Sequence, residues 1–354
     1  MFKTRLSAFL TVLAALVVAQ GSFGWTSIGK WSGTSFTMRA SSVSFPSGSS
    51  YRTALGTVTS RFNVNPGKIR MTQSYDDTSI GFNNGQNEVW FSADSTHSPA
   101  VCYTWKNIWG NIVEADVVFW NGIPYTTSMT KTSHYTYGGS SRPFQTTCMH
   151  EYGHAGGLGH EADEYNIMGT DWTHVTCNGS TVRAYLGEDA CDGYYDIYGA
   201  TTSSIEDLSL TILKRTGASG EYSSHGFGVM RNSSTNGLLS RASDYQGQPR
   251  WRVNRGQRVK VEFTLENNGK TTKTSRLGFY VSSNSTISTV DRLIATANPT
   301  LSRDNVLTYA YTLTIPSDLS VGTTYFLGAI IDDNSRVGEI DGINNAAYHV
   351  IYVQ

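Results

Sequence analysis

One short segment, residues 150–160, constrains the local structure of this chain more than any other: it reads His-Glu-Tyr-Gly-His-Ala-Gly-Gly-Leu-Gly-His. His150 and His154 are four residues apart, so a helix would place both rings on one face, one turn apart. Two such imidazoles can bind one zinc ion at ~2.0–2.1 Å. Glu151 lies beside the first ligand and can accept a proton from a metal-bound water. The pattern therefore predicts a helix over residues 144–156 that carries a metal site.

The glycines that follow His154 predict that this helix ends and the chain turns back. Gly157 can adopt a positive φ, which is how many helices terminate. His160 then arrives as a third ligand. Three protein ligands leave the fourth zinc position open for water, which is the arrangement of catalytic rather than structural zinc sites. We therefore expect His150, His154 and His160 to bind one catalytic zinc ion.

The complete pattern HExxHxxGxxH resembles the zinc signature of the metzincin metallopeptidases. Members of that family place a methionine beneath the zinc, and Met168, eight residues after His160, fits this role. The short spacing resembles the matrixin branch. Residues 87–91, 115–119 and 189–199 resemble strands and the start of the last helix in that branch. The resemblance implies a catalytic domain over residues 25–217 with an α+β fold, in which a twisted mixed sheet supports the active-site helix.

The activity that this resemblance implies is peptide-bond hydrolysis by a zinc-dependent endopeptidase. Zinc would polarise the scissile carbonyl and lower the pKa of its water toward ~7. Glu151 would take up the proton as general base and deliver it to the leaving amine. The substrate would be a protein or peptide that lies extended beside a strand edge. Two other interpretations stay open: a non-catalytic zinc-containing adhesion or binding protein, and a protease restricted to one dedicated protein target.

Several residues depart from the family pattern. Glu161 follows the third histidine, as in the astacin branch, where matrixins usually have serine. Thr170 stands two residues after Met168, where astacins and serralysins have a tyrosine. The motif therefore predicts no additional tyrosine ligand or transition-state donor. His97 and His134 are isolated in the sequence, and we expect them on the surface rather than at a metal.

The first 24 residues have the three-part organisation of a secretory signal peptide. Lys3 and Arg5 precede an apolar segment, Leu6 to Ala19. That segment is shorter than the ~20 residues that a membrane span needs. We expect cleavage between Ala19 and Trp25, and a secreted, extracellular mature chain without a transmembrane segment.

The cysteine content fits an exported chain. An even number of cysteines in such a protein is typical of disulfides. Four cysteines allow three pairings, and loop length favours Cys177 with Cys191, which leaves Cys102 with Cys148. No CxxC pair is present, which argues against cysteine as a metal ligand.

Composition and charge restrict the class of protein and its partners. The chain of 354 residues has 35 glycines and 20 tyrosines, and only 16% of its residues are charged. This is typical of a β-rich, turn-rich extracellular protein. Lys and Arg number 27 against 28 Asp and Glu, without a basic stripe, so no nucleic-acid partner is expected.

The C-terminal part of the chain predicts a second domain. Residues 218–248 are rich in Ser, Gly and Asn and are predicted to be a linker. Residues 249–354 contain short alternating segments such as Arg258–Leu265, separated by turn signals such as Asn267-Asn268-Gly269. This pattern favours an immunoglobulin-like β-sandwich. Residues 337–345 resemble the ending of CARDB-type adhesion-related domains of bacteria, which implies binding of a surface or substrate rather than catalysis.

Acidic residues near that ending give a second candidate metal site. Calcium prefers oxygen ligands. Solvated turn carboxylates are the favoured interpretation of these residues, and a calcium site is the alternative. The residues concerned are Asp332, Asp333, Glu339 and Asp341.

Overall fold

The computed structural model describes residues 24–354, so the predicted signal peptide lies outside the described residues except for Gly24. The described chain is mostly β, with 41% of its residues in strands and 14% in helices. It divides into a site-bearing region, residues 24–206, and a sandwich region, residues 207–354. The division lies where strand pairing passes from one set of sheets to another.

The site-bearing region contains four α-helices and ten strands. Its helices are α1 Ser50–Phe62, α2 Lys131–Tyr135, α3 Phe144–Ala155 and α4 Glu188–Tyr198. Its strands are β1 Lys30–Trp31, β2 Ser35–Ser41, β3 Arg70–Asp77, β4 Glu88–Ser92, β5 Ala100–Lys106, β6 Asn111–Trp120, β7 Tyr125–Thr126, β8 Arg142–Pro143, β9 Val175–Asn178 and β10 Thr181–Ala184.

A six-stranded sheet forms the centre of this region, in the order β1-β6-β4-β2-β3 with β5 beside β6. Strand β5 runs antiparallel to β6 and pairs with no other described strand, so it forms an edge of the sheet. Residues 114–119 of β6 are all buried, because elements cover both faces of this central strand. Helices α1 and α3 pack against the sheet in one hydrophobic cluster. This cluster supports the helix that carries His150 and His154.

The sandwich region is built almost wholly of strands. They are β11 Leu208–Thr211, β12 Leu213–Ser219, β13 Tyr222–Phe227, β14 Met230–Asn232, β15 Arg250–Val253, β16 Arg258–Asn267, β17 Lys273–Thr274, β18 Leu277–Ser282, β19 Arg292–Ala297, β20 Thr300–Leu301, β21 Val306–Thr314, β22 Thr324–Ile331 and β23 Ala346–Val353. Strands β11, β14, β16 and β21 form one sheet, and β15, β18, β19, β22 and β23 form the second. The two sheets bury a common core that includes Trp251, Phe263 and Phe279. The predicted all-β, immunoglobulin-like sandwich is confirmed.

The predicted α+β fold of the metzincin type is wrong, because the described chain is mostly β. That prediction extended a motif of eleven residues, one methionine and three short segments to a domain of nearly two hundred residues. The motif determines the local structure of α3 and the turn after it. It carries no information about the strands that make up most of the remaining chain.

The sandwich sheets begin earlier than the sequence predicts. Strand β11 pairs with β16, although the first domain is predicted to extend to residue 217. Residues 218–248 are predicted to be a linker, whereas they contain β13 and β14. Strand β14 pairs with β16, and β12 and β13 form a hairpin. The partner of β11 and β14 is β16, which lies further along the chain, and local composition does not reveal that pairing.

The two regions pack directly against each other. The Asn178 amide donates to the Ile287 carbonyl at 2.9 Å and accepts from the Ile287 amide at 2.6 Å. The buried Lys131 ammonium donates to the Tyr348 hydroxyl at 2.9 Å. Buried polar pairs of this kind hold two surfaces in one relative position, since breaking them would leave unpaired groups.

The predicted disulfides do not form: all four cysteines of the described chain are free thiols. Cys177 lies in a cluster with Tyr165 and Val182, whereas Cys148 and Cys191 lie in the main core of the site-bearing region. Cys102 packs against that same core. Loop length indicates how easily two cysteines can meet, but not which core each side chain enters.

The two histidines predicted to be surface residues are instead buried. His134 is fully buried, and its Nδ1 lies 3.2 Å from the Thr130 carbonyl oxygen. His97 Nδ1 lies 3.1 Å from the Tyr103 hydroxyl. Each ring thus finds a local polar partner, and neither joins the metal centre.

Three buried carboxylates meet on β4 and β6 and give a pH-dependent stability prediction. Burial raises the pKa of Asp116 to about 8, with Glu114 and Glu88 adding to the shift. Between the ordinary pKa near ~4 and pH 8, the folded state therefore holds a proton that the unfolded state has lost, and stability falls as the pH rises. Asparagine does not titrate, so we expect the free energy of unfolding of Asp116→Asn, relative to that of wild type, to rise by about 2 kcal/mol between pH 5 and pH 8.

Urea unfolding at the two pH values measures this gain. The exposed Asp244 provides the matched control, since Asp244→Asn should follow the wild-type profile. Parallel profiles for wild type and Asp116→Asn would contradict the assigned cause.

Candidate metal centre

Helix α3 and the turn after it position the first two histidines. The helix begins after Pro143 and ends at Gly156, whose amide donates to the Tyr152 carbonyl at 3.0 Å. Gly157 follows with a φ of +106°. The Leu158 amide then bonds to the Gly153 carbonyl at 3.0 Å, which closes the turn. This reversal carries the chain back toward the face of α3 that bears the two rings.

The structure brings His150, His154 and His160 together. His154 Nε2 lies 3.2 Å from His150 Nε2 and 3.0 Å from His160 Nε2. These three residues form the one group of potential metal ligands found in residues 24–354. Tetrahedral zinc with its usual bond lengths would separate ligand nitrogens by about 3.3 Å. The observed spacing fits one zinc ion.

The outer nitrogens of the three rings are all engaged. His150 Nδ1 lies 2.8 Å from the Ile167 carbonyl, and His154 Nδ1 lies 2.7 Å from the Leu158 carbonyl. A carbonyl oxygen only accepts, so each Nδ1 carries the proton and each Nε2 keeps its lone pair. His160 Nδ1 lies 2.9 Å from a carboxylate oxygen of Glu221.

The donor set therefore passes a chemical test for a metal. Burial lowers the pKa of His150 and of His154, so both rings are neutral at pH 7. Inward-facing lone pairs at such short distances repel each other unless a cation lies between them. Neutral imidazoles whose outer N–H groups are bonded to fixed acceptors are what zinc requires.

Glu151 lies beside the first ligand and is almost fully buried, with 5% of its surface exposed. Burial raises the pKa of Glu151 to about 8, Asp171 adds to this shift, and Arg142 opposes it. A zinc ion at the neighbouring imidazoles would favour the ionised carboxylate. A carboxylate with a proton affinity near neutral pH can both accept and release a proton during one reaction.

Asp171 and Arg142 belong to the site, although the sequence analysis did not identify them. Arg142 donates to Asp171 at 2.8 Å, and the Thr147 hydroxyl donates to the same carboxylate at 2.6 Å. The Arg142 cation offsets the burial of Asp171, whose pKa stays below its usual value. The ion pair thus places one positive and one negative charge at fixed positions beside α3. Isolated Arg and Asp residues 29 positions apart carry no recognisable motif.

Met168 packs against α3 at Gly153. It is buried, and a Cβ added to Gly153 would lie 2.3 Å from its sulfur. The preceding residue, Ile167, supplies the carbonyl that receives His150 Nδ1. The turn therefore both packs against the helix and orients one ligand.

Gly157 allows a stability prediction at the site. Its φ is unfavourable for any residue with a side chain, and an added Cβ would lie 2.3 Å from the Gly29 carbonyl oxygen. We expect Gly157→Ala to lower the free energy of unfolding by about 2–3 kcal/mol, measured by urea denaturation. Gly33→Ala is the control, because nothing lies near a Cβ at Gly33. Equal losses for the two variants would contradict the assigned strain.

The β12–β13 hairpin reaches the metal centre from the sandwich region. Its tip holds Glu221, the partner of His160, and Tyr222. The ring centroid of Tyr222 lies 4.3 Å from that of His160 and 6.5 Å from that of His150. Burial raises the pKa of Tyr222, and Glu221 and Glu151 add to the shift. Sequence analysis missed both residues because it treated this segment as a linker.

The four carboxylates considered for calcium each have protein partners. Asp332 accepts the Val337 amide at 2.9 Å, and Asp333 accepts the Tyr280 hydroxyl at 2.6 Å. Glu339 accepts the Leu208 amide at 2.8 Å, and Asp341 pairs with Arg61. They are not gathered into one group of potential metal ligands within residues 24–354.

Comparison with known proteins finds a likeness among solved structures alone. No protein family model matches this chain, and no curated protein matches it. Among solved structures, the chain is similar to a CARDB domain from Pyrococcus furiosus that was crystallised in complex with di-metal ions, at 16% identity and a TM-score of 0.24. That match covers 42% of this chain and 89% of the other. A solution structure of the same domain matches at 18% identity and a TM-score of 0.23, with 29% and 84% covered.

Both matched structures are CARDB domains. Superposition at these scores is too loose to support an argument about function. None of the helices in residues 24–354 has the length and apolar character needed to cross a membrane. Fold and site together define a mostly β chain with an immunoglobulin-like sandwich and a three-histidine centre beside a buried glutamate.

Proposed function

We propose that this protein is a secreted zinc-dependent endopeptidase in which His150, His154 and His160 hold the metal and Glu151 is the general base. The observation that carries the proposal is the convergence of three lone-pair nitrogens beside a buried carboxylate. A protein that only stores or displays zinc has no chemical need for such a carboxylate. Three ligands also leave one zinc position open.

The chain's own residues would contribute orientation and proton transfer. A bound zinc ion supplies Lewis acidity and lowers the pKa of water. The Ile167 and Leu158 carbonyls fix the tautomer and angle of His150 and His154. Glu151 takes a proton from the attacking water and delivers it to the nitrogen of the leaving amine.

Strand β5 is the proposed binding site for the substrate backbone. It forms an edge of the central sheet and packs against α3, the helix that carries Glu151. An extended peptide can add to an open strand edge through main-chain hydrogen bonds. Such a peptide would lie close to the general base, which suits an enzyme that cleaves within unfolded or extended segments.

The sandwich region is proposed to be a CARDB-like module that binds a surface or a substrate. Residues 332–341 lie between β22 and β23 of this region, and they are far from the three histidines in sequence. Export through the predicted signal peptide, residues 1–24, belongs to the same proposal. In that setting the enzyme would act on proteins outside the cell.

Cleavage of an unfolded protein substrate tests the proposed function. The full mature chain would be assayed zinc-loaded, after chelation, and after zinc is added back, with fragments identified by mass spectrometry. We expect cleavage in the first and third arms only. Cleavage that persists in metal-free protein would contradict the zinc mechanism. No cleavage in any arm would contradict a general endopeptidase and favour a binding protein or a single-target protease.

A further inference from the structure

The β12–β13 hairpin, residues 213–227, is firmly held against the metal centre. Arg215 Nε donates to the Ala162 carbonyl at 2.8 Å, just beyond the third histidine. The Ser223 amide donates to the Glu161 carbonyl at 3.0 Å. On the other side, Lys214 pairs with Glu262 of β16 at 2.6 Å. The hairpin therefore connects the sandwich region to the chain segment that carries His160.

Glu221 at the tip of this hairpin orients His160. Its Oε1 lies 2.9 Å from His160 Nδ1, the same position that a backbone carbonyl occupies at the other two rings. A carboxylate bonded to the outer nitrogen of a ligand fixes the tautomer and increases the basicity of the inner nitrogen. Glu221 is thus a positioning residue that acts through His160.

Tyr222 lies beside the three histidines. Its ring centroid is 4.3 Å from that of His160 and 6.5 Å from that of His150. With 39% of its surface exposed, the side chain is accessible to a bound molecule. A phenol can donate a hydrogen bond. Tyr222 therefore offers a donor at the edge of the three-histidine cluster.

Thr170 attaches the hairpin to the segment that follows Met168. The Thr170 hydroxyl donates to the Ser223 carbonyl, directly after Tyr222 in the chain. This hydrogen bond helps to hold Tyr222 in place beside the three histidines.

We infer that the hairpin tip completes the metal centre: Tyr222 donates a hydrogen bond to the substrate carbonyl oxygen as negative charge develops on it, and Glu221 positions His160. The inference rests on the proposed function and deepens it. Donors placed where charge develops stabilise the transition state more than the ground state. The sandwich region is then part of the catalytic unit, because it supplies these two side chains.

Two conservative variants of the full chain test this inference. We expect Tyr222→Phe to lower kcat about 100-fold, with KM and the zinc Kd within about two-fold of wild type. We expect Glu221→Gln to weaken zinc binding about 10-fold. Ser219→Ala, an exposed change on the same hairpin, is the matched control and should leave all three quantities unchanged.

Zinc Kd would be measured by competition with a chromophoric chelator, and the ligand field by the visible spectrum of the cobalt-substituted protein. A donor role leaves that spectrum unchanged in Tyr222→Phe. Wild-type kcat in Tyr222→Phe would overturn the donor role, and a wild-type zinc Kd in Glu221→Gln would overturn the positioning role. If wild type itself fails to cleave, the proposed function fails and the donor role with it. The zinc Kd still decides the role of Glu221.

Discussion

Replacing Glu151 by glutamine is expected to lower kcat/KM for peptide hydrolysis at least 10³-fold while zinc stays bound. Glutamine has nearly the same shape as glutamate, and its side-chain oxygen can still accept hydrogen bonds. It cannot take up a proton. General acid–base groups typically contribute 10²–10⁴-fold, and here one group serves both transfers.

The comparison needs a control for the general effect of removing a buried carboxylate. Glu114 provides it, since its side chain is also buried and accepts two backbone amides, from Asn84 and Gly85. We expect Glu114→Gln to keep at least a tenth of wild-type kcat/KM. Hydrolysis of a peptide with a measured cleavage site and the zinc content of each protein would both be determined. Equal hydrolysis by wild type and Glu151→Gln would remove Glu151 from the mechanism.

Replacing His154 by alanine is expected to weaken zinc binding at least 10³-fold. His154 is the central ligand, because its Nε2 lies within 3.2 Å of both other Nε2 atoms. The His154→Ala variant would keep two of the three ligands and would have a cavity where the imidazole ring lay. A ligand present at 1,000 times its Kd stabilises the folded state by about 4.1 kcal/mol. Chelation should therefore lower the Tm of wild type by about 5 °C or more and leave that of His154→Ala unchanged.

His349 is a suitable control for this experiment. It is buried in the sandwich region, where its Nε2 lies 2.7 Å from the Glu262 carbonyl. His349→Ala should lower the Tm through the lost packing but retain the change that chelation produces. A wild-type protein whose Tm does not respond to zinc would contradict the assignment of the three histidines as a metal centre.

The local structure around the motif could be predicted because its determinants are local. Histidines four residues apart share a helix face, and a glycine with positive φ ends the helix, whatever surrounds them. The immunoglobulin-like sandwich could be predicted for a related reason. The alternation of apolar and polar residues in Arg258–Leu265 predicts a strand with one face toward a core, and the turn signal Asn267-Asn268-Gly269 follows it closely.

Predictions failed where the determinant was a partner distant in the chain. Strands β11 and β14 both pair with β16, tens of residues further along the chain, and the composition of the two short strands does not show that pairing. Cys177 and Cys191 are separated by a short loop, yet they enter different cores. His97 and His134 are polar and isolated in sequence, but each is buried with one ring nitrogen beside an oxygen atom.

The sequence by itself determined the cluster of His150, His154 and His160, the glutamate beside it and the sandwich, because spacing and alternation encode them within a few residues. Only the tertiary structure decided the overall fold class, the Arg142–Asp171 pair beside Glu151, and the arrival of Glu221 and Tyr222 at the metal centre. Those features depend on contacts between residues that are tens of positions apart. Such contacts are selected by the free energy of packing the whole chain, and a pattern within a few residues does not predict them.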